Sequence, residues 1–519
     1  MTNLLDRLRT NLRAANIPVS VADLEGMSAK GFLSRVADVE RLLESFSSAT
    51  LPDYLDIDVL PVADTALASP QPMTSIPPAN TITALAPQLR TGRLSPVELT
   101  RQALDLLAAH DPHLNAFQLV LAEQALADAQ AAEAAISAGE YRGPLHGVPV
   151  AVKDLLDLMG TPTTAGSKIL ADHYPSQDAT SVALLRQAGA IIIGKTRMSE
   201  FAYSPGSNNG HYGPTANPHN PERDSGGSSS GSAAAVAAGI VAAALGTDTG
   251  GSIRIPAAQC GIVGLKPTHG RTSLAGAVTL SWSLDHLGPL TRSVSDTAIM
   301  LEVLAGPDGH DGRTLRSVPP FHANGLQPLA RGIRVGVLGA DGSGAPQADP
   351  ETLAVVRSAG AQLRAAGAEV AEVDVAEIEA LRLLNPVILA MEAAALHLPN
   401  LRTRLNDYAE FMRQRILASF VYGPATFVQA QQARAVLRQR MTALFEQIDI
   451  LVLPVVPHPA PPLGVITATT FTGPFNCLGW PAISIPAGFS REGLPLAVQL
   501  VARPWEEAEL LRVAMVLEA

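Results

Sequence analysis

Cysteine is scarce in this chain of 519 residues. The two cysteines, Cys260 and Cys477, are too few and too far apart for a disulfide scaffold or a structural zinc site. Charged residues make up 16% and hydrophobic residues 47%, which excludes a disordered chain and a coiled coil. A basic surplus is also absent, because 37 Lys and Arg face 48 Asp and Glu for a net charge of −11. We therefore expect no nucleic-acid partner.

Apolar runs long enough to cross a bilayer are missing as well. The longest run, residues 233–245, has 13 residues, whereas a spanning helix needs about 20. We interpret this run as a buried helix. The N-terminus has no basic segment followed by an apolar core, so no signal peptide is expected. The sequence thus predicts a cytoplasmic globular protein without a membrane partner.

The first 80 residues differ in composition from the rest. Leucine and valine recur at helical spacing within residues 1–47, which predicts two amphipathic helices separated at Pro18. Six prolines between residues 48 and 80 predict a linker. We divide the chain into an N-terminal helical appendage (1–47), a proline-rich linker (48–80) and a catalytic domain (81–519).

The catalytic domain begins with a strong helix signal. Ser95, Pro96 and Glu98 supply an N-cap, a first-turn proline and a capping-box partner. Helical patterns then alternate with short apolar runs, which predicts an α/β fold with a mixed β-sheet. Helices are expected at 179–188 and 351–366, and strands at 148–153, 190–194, 333–338, 369–375, 450–456, 482–486 and 497–501.

Serine and glycine are concentrated in residues 224–257, and parts of this segment match the sequence motifs of several kinds of catalytic or binding site. Residues 227–231 match the G-x-S-x-G nucleophile elbow around Ser229, but we interpret 217–225 as a loop where an elbow needs a strand. Residues 248–250 spell the Asp-Thr-Gly of an aspartic protease, yet a second copy is absent. Residues 226–232 could cradle a phosphate, although they lack the Lys-Ser/Thr ending of a P-loop.

A further interpretation of this segment comes from four stretches in and around it: HGVPVAVKD (146–154), GTDTGGSIRIPAAQCGIVGLKPTHGR (246–271), SWSLDHLGPLTRSVSD (281–296) and FNCLGWPAISIPAGF (475–489). In these stretches the chain resembles the amidase signature family of serine hydrolases. The resemblance implies an α/β amidase-signature fold whose mixed central sheet is covered by helices on both faces. It also implies an amidase that hydrolyses an amide-type bond, or an ester or carbamate, without a metal or organic cofactor.

The resemblance also assigns catalytic roles to matching positions. Ser252 would be the nucleophile, Lys153 the base, and Ser228 the bridging serine, which the family holds after a cis peptide bond. The oxyanion hole would be formed by the backbone N–H groups of Thr249, Gly250, Gly251 and Ser252.

The physical chemistry of lysine makes this assignment reasonable. A serine hydroxyl is a poor nucleophile until a neighbour takes its proton, and a lysine can take it only when neutral, although its ordinary pKa is about 10.4. Burial lowers that pKa by disfavouring the ammonium form. Lys153 ends an apolar run, so we expect it to be buried. Asp154 would oppose the shift, but strand alternation sends it to the opposite side.

Several neighbouring residues are expected to be structural. Ser229 is expected to hydrogen-bond near the site, and Asp248 and Arg254 to pair and hold the loop. The remaining candidates, which we also interpret as structural, are His211, His269 and Cys260. Two departures from the family, Leu155-Leu156 and the third serine Ser230, are expected to affect substrate choice rather than reaction type.

Five residues are expected to line the substrate pocket by their position in the resemblance. They are mainly apolar, which favours an aryl or alkyl amide, ester or carbamate over a charged substrate. These residues are Met198, Phe201, Tyr203, Trp282 and Cys477.

Two other function classes stay open beside a free amidase. One is the glutaminase subunit of a tRNA-dependent amidotransferase, which shares the triad and passes ammonia to a partner. The other is a catalytically silent binding protein that keeps the fold, against which the intact Lys153, Ser228 and Ser252 argue. For a free amidase we expect a small-molecule partner, and homodimerisation stays open. The sequence does not identify the acyl group or the leaving group.

Overall fold

The structure is a computed structural model that describes residues 2–29, 33–47, 59–60, 80–314, 319–339 and 347–518. Nearly all of the predicted linker, 48–80, lies outside these residues. The helices of the described ranges are α1 Thr2–Ala14, α2 Val21–Ala29, α3 Val36–Ser47, α4 Ile82–Arg90, α5 Pro96–Leu114, α6 Ala122–Ser137, α7 Thr180–Gln187, α8 Ser230–Ala237, α9 Arg254–Cys260, α10 Val294–Leu304, α11 Pro350–Ala365, α12 Glu377–Thr403, α13 Glu410–Ala418, α14 Pro424–Gln447, α15 Gly473–Leu478 and α16 Glu507–Glu518.

Within the described ranges, twelve strands form one mixed sheet, and two more form a separate hairpin. The order across the sheet is β1-β11-β10-β12-β14-β13-β8-β9-β7-β3-β4-β2, and the hairpin is β5-β6. The strands are β1 Val59–Leu60, β2 Phe117–Val120, β3 Pro149–Lys153, β4 Ile191–Thr196, β5 Ala216–Asn217, β6 Asn220–Asp224, β7 Ala243–Asp248, β8 Val263–Lys266, β9 His286–Thr291, β10 Arg334–Leu338, β11 Glu369–Val373, β12 Ile450–Pro454, β13 Ala482–Phe489 and β14 Pro495–Val501.

Helices cover both faces of this sheet. Along β3, Val150 and Val152 belong to one buried apolar cluster whereas Ala151 belongs to another. Successive strand residues point to opposite faces, so each face has its own core. This arrangement confirms the predicted α/β class with a mixed sheet. The seven predicted strands and the helices predicted at 179–188 and 351–366 occur with small shifts at their ends. The predicted N-cap is also present, because the Ser95 side chain accepts a hydrogen bond from the Glu98 N–H at 3.2 Å.

Two predictions about the Gly/Ser region were wrong. Residues 233–245 are not one helix: α8 ends at Ala237, Gly239 takes a φ of 76°, and β7 begins at Ala243. A strand buried on both faces has no polar–apolar alternation, so its pattern matches that of a buried helix. Residues 217–225 are not simply a loop, since β5 and β6 pair there as a hairpin.

The N-terminal part of the chain contains three described helices where the sequence predicts two. The additional helix, α2, has no strong apolar face, so the spacing of its residues does not reveal it. Helix α3 packs against α14, and α2 packs against α13. Asn11 Nδ2 also donates to Phe420 O at 2.6 Å, and the leucines of α1 join the main core cluster. These helices are therefore packed onto α12–α14 and share their core.

Helix α12 is long and apolar enough to cross a membrane by length and composition. Within the fold, however, 61% of the apolar 18-residue stretch of α12 is buried. Burial of this kind is what the core helix of a folded domain requires. We interpret α12 as a core helix that supports the site from one side.

Candidate active site

The site is built where two parallel strands end side by side. Strands β3 and β7 are parallel neighbours, so Lys153 at the end of β3 lies next to Thr247 near the end of β7. The ammonium of Lys153 is fully buried and donates to three hydroxyls. The acceptors are Ser228 Oγ at 2.7 Å, Ser229 Oγ at 2.9 Å and Thr247 Oγ1 at 3.0 Å.

Burial changes the acid–base behaviour of Lys153. It lowers the pKa of Lys153 from 10.5 to about 7, against the weaker opposing attraction of Asp248 and Asp285. Asp154 does not oppose the shift, because its carboxylate turns away and pairs with Lys195 at 3.0 Å. The expected alternation of neighbouring side chains is thus confirmed. A neutral amine, which can accept a proton, is well populated near pH 7.

The peptide bond between Gly227 and Ser228 is cis. Gly227 lies against the backbone of Gly206, where an added Cβ would be 2.0 Å from the Gly206 oxygen. A side chain at position 227 would therefore displace the loop. The Ser229 N–H donates to Ser252 O at 3.2 Å, so the loop that carries Ser228 is joined directly to the loop that carries Ser252.

Exposure separates Ser252 from its two proposed partners. Ser252 keeps 7% of its surface exposed, whereas Lys153 and Ser228 have 0%. A nucleophile must be reached by a substrate, while its base is best kept from water. Of the three residues, Ser252 is thus the one that keeps any exposed surface, and Lys153 and Ser228 are fully withdrawn from solvent.

The Asp248 carboxylate organises the loop after β7. It accepts hydrogen bonds from the Gly251 N–H at 2.7 Å and the Ile253 N–H at 3.1 Å. It also pairs with Arg254 at 3.0 Å, and both side chains are fully buried. Burial alone would raise the pKa of Asp248, but the Arg254 charge outweighs it and holds the pKa at about 2. The expected Asp248–Arg254 pair is confirmed, and an ionised carboxylate of this kind does not share a proton as in an aspartic protease.

Replacing Asp248 with asparagine is expected to lower the free energy of unfolding by about 3–5 kcal/mol, because it leaves a buried arginine without its charge partner. Guanidinium unfolding monitored by circular dichroism measures the change. Arg41→Ala is the matched control, since its pair with Asp38 is exposed at 76% and 48%, and we expect no measurable change there. An Asp248→Asn variant as stable as the parent would contradict the role of this carboxylate.

The peptide planes around Ser252 are fixed through their carbonyl groups. In a trans peptide the N–H points opposite to the C=O, so anchoring each carbonyl also aims the following N–H. The anchoring bonds are Asn476 Nδ2 to Asp248 O at 2.9 Å, Asn385 Nδ2 to Thr249 O at 3.2 Å, Thr472 Oγ1 to Gly250 O at 2.7 Å and Ile255 N to Gly251 O at 2.7 Å.

These peptide planes bear on the expected oxyanion hole. The Gly251 N–H is engaged by Asp248. Within the described ranges, the N–H groups of Thr249, Gly250 and Ser252 donate to no protein acceptor. Three of the four expected donors therefore make no bond to described protein atoms that would compete with an oxyanion.

Ser229 is held by structural bonds of its own. Its hydroxyl donates to Thr247 O at 3.2 Å and accepts from the Thr247 N–H at 3.3 Å, which leaves it fully buried against β7. The strand β6 before this loop belongs to the separate hairpin and not to the central sheet. This environment differs from that of an elbow serine, whose hydroxyl is exposed above a sheet.

The other neighbours also have structural partners. His211 Nε2 lies 3.1 Å from the Glu200 carboxylate, and Cys260 Sγ donates to Ser225 O at 3.3 Å. Burial raises the pKa of the Cys260 thiol far above its ordinary value. His269 packs on His286 with ring centroids 5.2 Å apart.

Of the five residues expected to line the pocket, four belong to one buried apolar cluster and the fifth, Trp282, lies outside that cluster. Met198, Phe201 and Tyr203 are almost fully buried, with Phe201 packed on His397 at 4.4 Å and Tyr203 beneath Arg415 at 4.4 Å. Cys477 has no exposed surface. Trp282 is 56% exposed and lies in a separate cavity against Arg313.

Sequence reasoning missed the residues that hold the loop carrying Ser252 from a distance. Thr247 stands inside the GTDTGGS motif and could have been found there by strand register. Asn385, Thr472 and Asn476 lie more than 130 positions later in the chain than the carbonyls they anchor. Asn476 falls within the matching stretch 475–489, but Asn385 and Thr472 are marked by no local pattern, because tertiary packing brings them to the site.

Comparison with known proteins agrees with this geometry. The sequence profile of the Amidase family matches residues 98–511. The chain is 40% identical over 466 residues to the A subunit of glutamyl-tRNA(Gln) amidotransferase from Synechococcus sp. (strain CC9902), which covers 84% of this chain and 95% of that protein.

Two solved structures extend the comparison. One, described as an unexpected vestigial protein complex that reveals the evolutionary origins of an s-triazine catabolic enzyme, is 37% identical with a TM-score of 0.81, covering 84% of this chain and 98% of that one. The 6-aminohexanoate cyclic dimer hydrolase in complex with its substrate is 30% identical with a TM-score of 0.77, covering 85% and 97%. The chain therefore belongs to the amidase signature family and is a hydrolase of carbon–nitrogen bonds.

Proposed function

We propose that this protein hydrolyses an amide bond through an acyl-enzyme on Ser252, with Ser228 and Lys153 as its proton relay. The observation that carries the proposal is the buried Lys153 amine 2.7 Å from Ser228 Oγ, with its pKa lowered to about 7. In its neutral form the amine must accept a hydrogen from one of its three hydroxyl neighbours. Ser229 already donates to Thr247 O, which favours Ser228 as the hydroxyl that donates to the amine.

The first half-reaction forms the acyl-enzyme. Ser252 Oγ bonds to the carbonyl carbon while its proton passes to Ser228, and the Ser228 proton passes to Lys153. The carbonyl oxygen becomes negatively charged and accepts hydrogen bonds from the free N–H groups of Thr249, Gly250 and Ser252. As the carbon–nitrogen bond breaks, the relay returns the proton to the leaving nitrogen.

The second half-reaction repeats these transfers with water. Water loses a proton to the relay, attacks the acyl carbon and expels Ser252 Oγ, which recovers its proton. The products are the carboxylic acid and the free enzyme. An ester or a carbamate could enter the same sequence, since each presents a carbonyl to Ser252.

A free amidase and a glutaminase subunit share this chemistry, and the similarities favour the second. Relatives that are A subunits of glutamyl-tRNA(Gln) amidotransferase reach 40% identity, whereas the 6-aminohexanoate cyclic dimer hydrolase reaches 30%. We therefore place the carboxamide of glutamine first among candidate substrates, followed by aryl and alkyl amides. The helices α1–α3 favour a free enzyme. They lie before residues 98–511, which the family profile matches, and they pack on α12–α14 of the same chain.

Labelling and turnover by the isolated chain test the proposal. We expect a fluorophosphonate to label Ser252 once, as mapped by peptide mass spectrometry, because the relay activates this serine. Ammonia release from glutamine, propionamide and benzamide is then measured by a coupled assay, with Ser252→Ala as the blank. Turnover of the simple amides would favour a free amidase, and turnover of glutamine would favour the glutaminase.

The remaining outcomes are also informative. Labelling of Ser252 without turnover of any of these amides would favour a subunit that needs its partner for substrate hydrolysis. Labelling of Ser229 in place of Ser252 would overturn the proposed nucleophile.

The cytoplasmic location expected from the sequence remains a prediction.

A further inference from the structure

All three tryptophans of the chain line one cavity that lies apart from the Lys153–Ser228 pair. Trp282, Trp480 and Trp505 face a space of about 570 Å³, a volume within the usual range of small-molecule sites. Aromatic residues are only 4% of the sequence. Their convergence gives the cavity an aromatic lining against which a planar ring can pack.

The same cavity is basic, although the protein carries a net charge of −11. Arg313, Arg434 and Arg438 line it together with His269, and none of its described lining residues is acidic. Arg434 is nearly buried and bonds to Cys477 O and to Ser283, with Nη1 at 3.0 Å from Ser283 Oγ. These partners are neutral, and Ser283 Oγ in turn donates to the Glu392 carboxylate at 2.7 Å, so the nearest linked negative charge lies behind Ser283 and outside the cavity lining.

Two buried nitrogen atoms at this cavity lack protein partners. The Arg313 side chain is 6% exposed and pairs through Nε with Asp311 at 2.7 Å, yet its Nη1 has no hydrogen-bond partner among the described residues. His269 Nε2 also has no partner among these residues. An unpaired buried N–H of arginine is costly, and a ligand oxygen would satisfy the N–H of Arg313. Arg313 also lies over the Trp282 ring at 4.4 Å, so a charge and an aromatic face are presented together.

We propose that this cavity is a second binding site, for a small aromatic carboxylate. The carboxylate would accept hydrogen bonds from Arg313 Nη1, and the ring would pack against the tryptophans. Burial lowers the pKa of His269 to about 4, so near pH 7 the imidazole is neutral, with one donor and one acceptor nitrogen. Its one N–H is engaged by the Trp282 backbone, and the carboxylate is therefore assigned to the arginine alone. Arginine is suited to the planar carboxylate, and tryptophan to the ring.

The site lies one buried side chain behind the nucleophile loop. His269 packs on His286 at 5.2 Å between centroids, and His286 Nδ1 donates toward Asp248 O at 3.2 Å. His286 is 3% exposed, so it separates the cavity from the loop that carries Ser252. A ligand in the cavity would thus contact the layer behind the loop and not the reacting atoms.

Fluorine NMR of protein labelled with 5-fluorotryptophan tests the proposal directly. Because every tryptophan lines the cavity, we expect benzoate to shift all three resonances in a saturable way. Benzyl alcohol, which keeps the ring without the charge, and acetate, which keeps the charge without the ring, should each bind at least about 10-fold more weakly. Trp→Phe variants assign the resonances.

Arginine variants then locate the carboxylate. Arg313→Gln is expected to raise the Kd for benzoate about 10-fold or more, since a hydrogen bond to a charged group is lost. Because Asp311 would lose its partner in that variant, Arg438→Gln is the second test: Arg438 is exposed, and its loss should weaken binding without unfolding the protein. Arg364→Gln, on α11 outside the cavity, is the matched control and should leave the Kd unchanged.

Four outcomes would overturn the site. Resonance shifts that do not saturate would show that benzoate does not bind in this cavity. Equal affinity for benzyl alcohol would show that the carboxylate is not recognised. A Kd unchanged in both Arg313→Gln and Arg438→Gln would do the same. Loss of benzoate binding in Ser252→Leu, with all arginines intact, would place benzoate in the catalytic site. None of these outcomes depends on hydrolytic activity, so the second site and the proposed function can fail independently.

Discussion

Replacing Ser252 with alanine is expected to lower kcat/KM by about 10⁴-fold or more, because no other hydroxyl can form the acyl-enzyme. The variant should fold normally, since the Ser252 hydroxyl donates no hydrogen bond within the described ranges and alanine removes only this one oxygen from a residue that is 7% exposed. The measurement is the rate of ammonia release on whichever amide the parent protein hydrolyses. Fluorophosphonate labelling of the same variant should disappear in parallel.

The neighbouring serines supply matched controls. Ser230→Ala removes a hydroxyl at the start of α8 that donates to Arg197 O at 3.4 Å, and we expect activity close to that of the parent. Ser229→Ala should have an intermediate effect, because it removes one acceptor from Lys153 and a bond to β7. Full activity in Ser252→Ala together with complete loss in Ser229→Ala would overturn the assignment.

The sequence predicted the parts of this site that are local. The strand that ends at Lys153, the Ser95 helix cap and the Asp248–Arg254 pair each depend on a few neighbouring positions. Short patterns of this kind follow from strand alternation, helix capping and charge pairing. The resemblance to the amidase signature family added the order of the three catalytic residues, which composition alone does not provide.

The parts that depend on the sheet order were not predictable from local patterns. Strand β7 matches the pattern of a helix, because an alanine-rich strand buried on both faces has no alternation. The distant supports Asn385, Thr472 and Asn476 reach the loop only after α12 and α15 have packed. Trp282 lies in the stretch 281–296 that resembles the amidase signature family, and this position predicts contact with the substrate. Its side chain instead lines a separate cavity together with Arg313.

Replacing Lys153 with methionine is expected to lower kcat/KM by about 10²–10⁴-fold, because the side chain keeps its approximate volume but loses the nitrogen that accepts the proton. For the parent protein, kcat/KM should rise with pH and level off above pH 8. The reason is that the base acts when neutral, and burial lowers the pKa of Lys153 to about 7. Below that pH the amine is protonated and its three N–H groups are all donated to hydroxyls. Initial rates from pH 5.5 to 9, at substrate concentrations well below KM, measure this profile.

Lys153→Arg separates the role of a base from that of a structural cation. A guanidinium stays protonated at every pH in this range, so the variant can donate hydrogen bonds but cannot accept the proton. We expect it to be as inactive as Lys153→Met, with no rise in rate near pH 7. If Lys153→Arg kept parent activity, or if the parent profile were flat from pH 5.5 to 9, the lysine would be a structural donor and the proton would need another acceptor. Among the neighbours of Lys153, that acceptor would not be Asp248, whose carboxylate is held by Arg254 and by backbone N–H groups. The buried amine is therefore the group on which the proposed chemistry depends most directly.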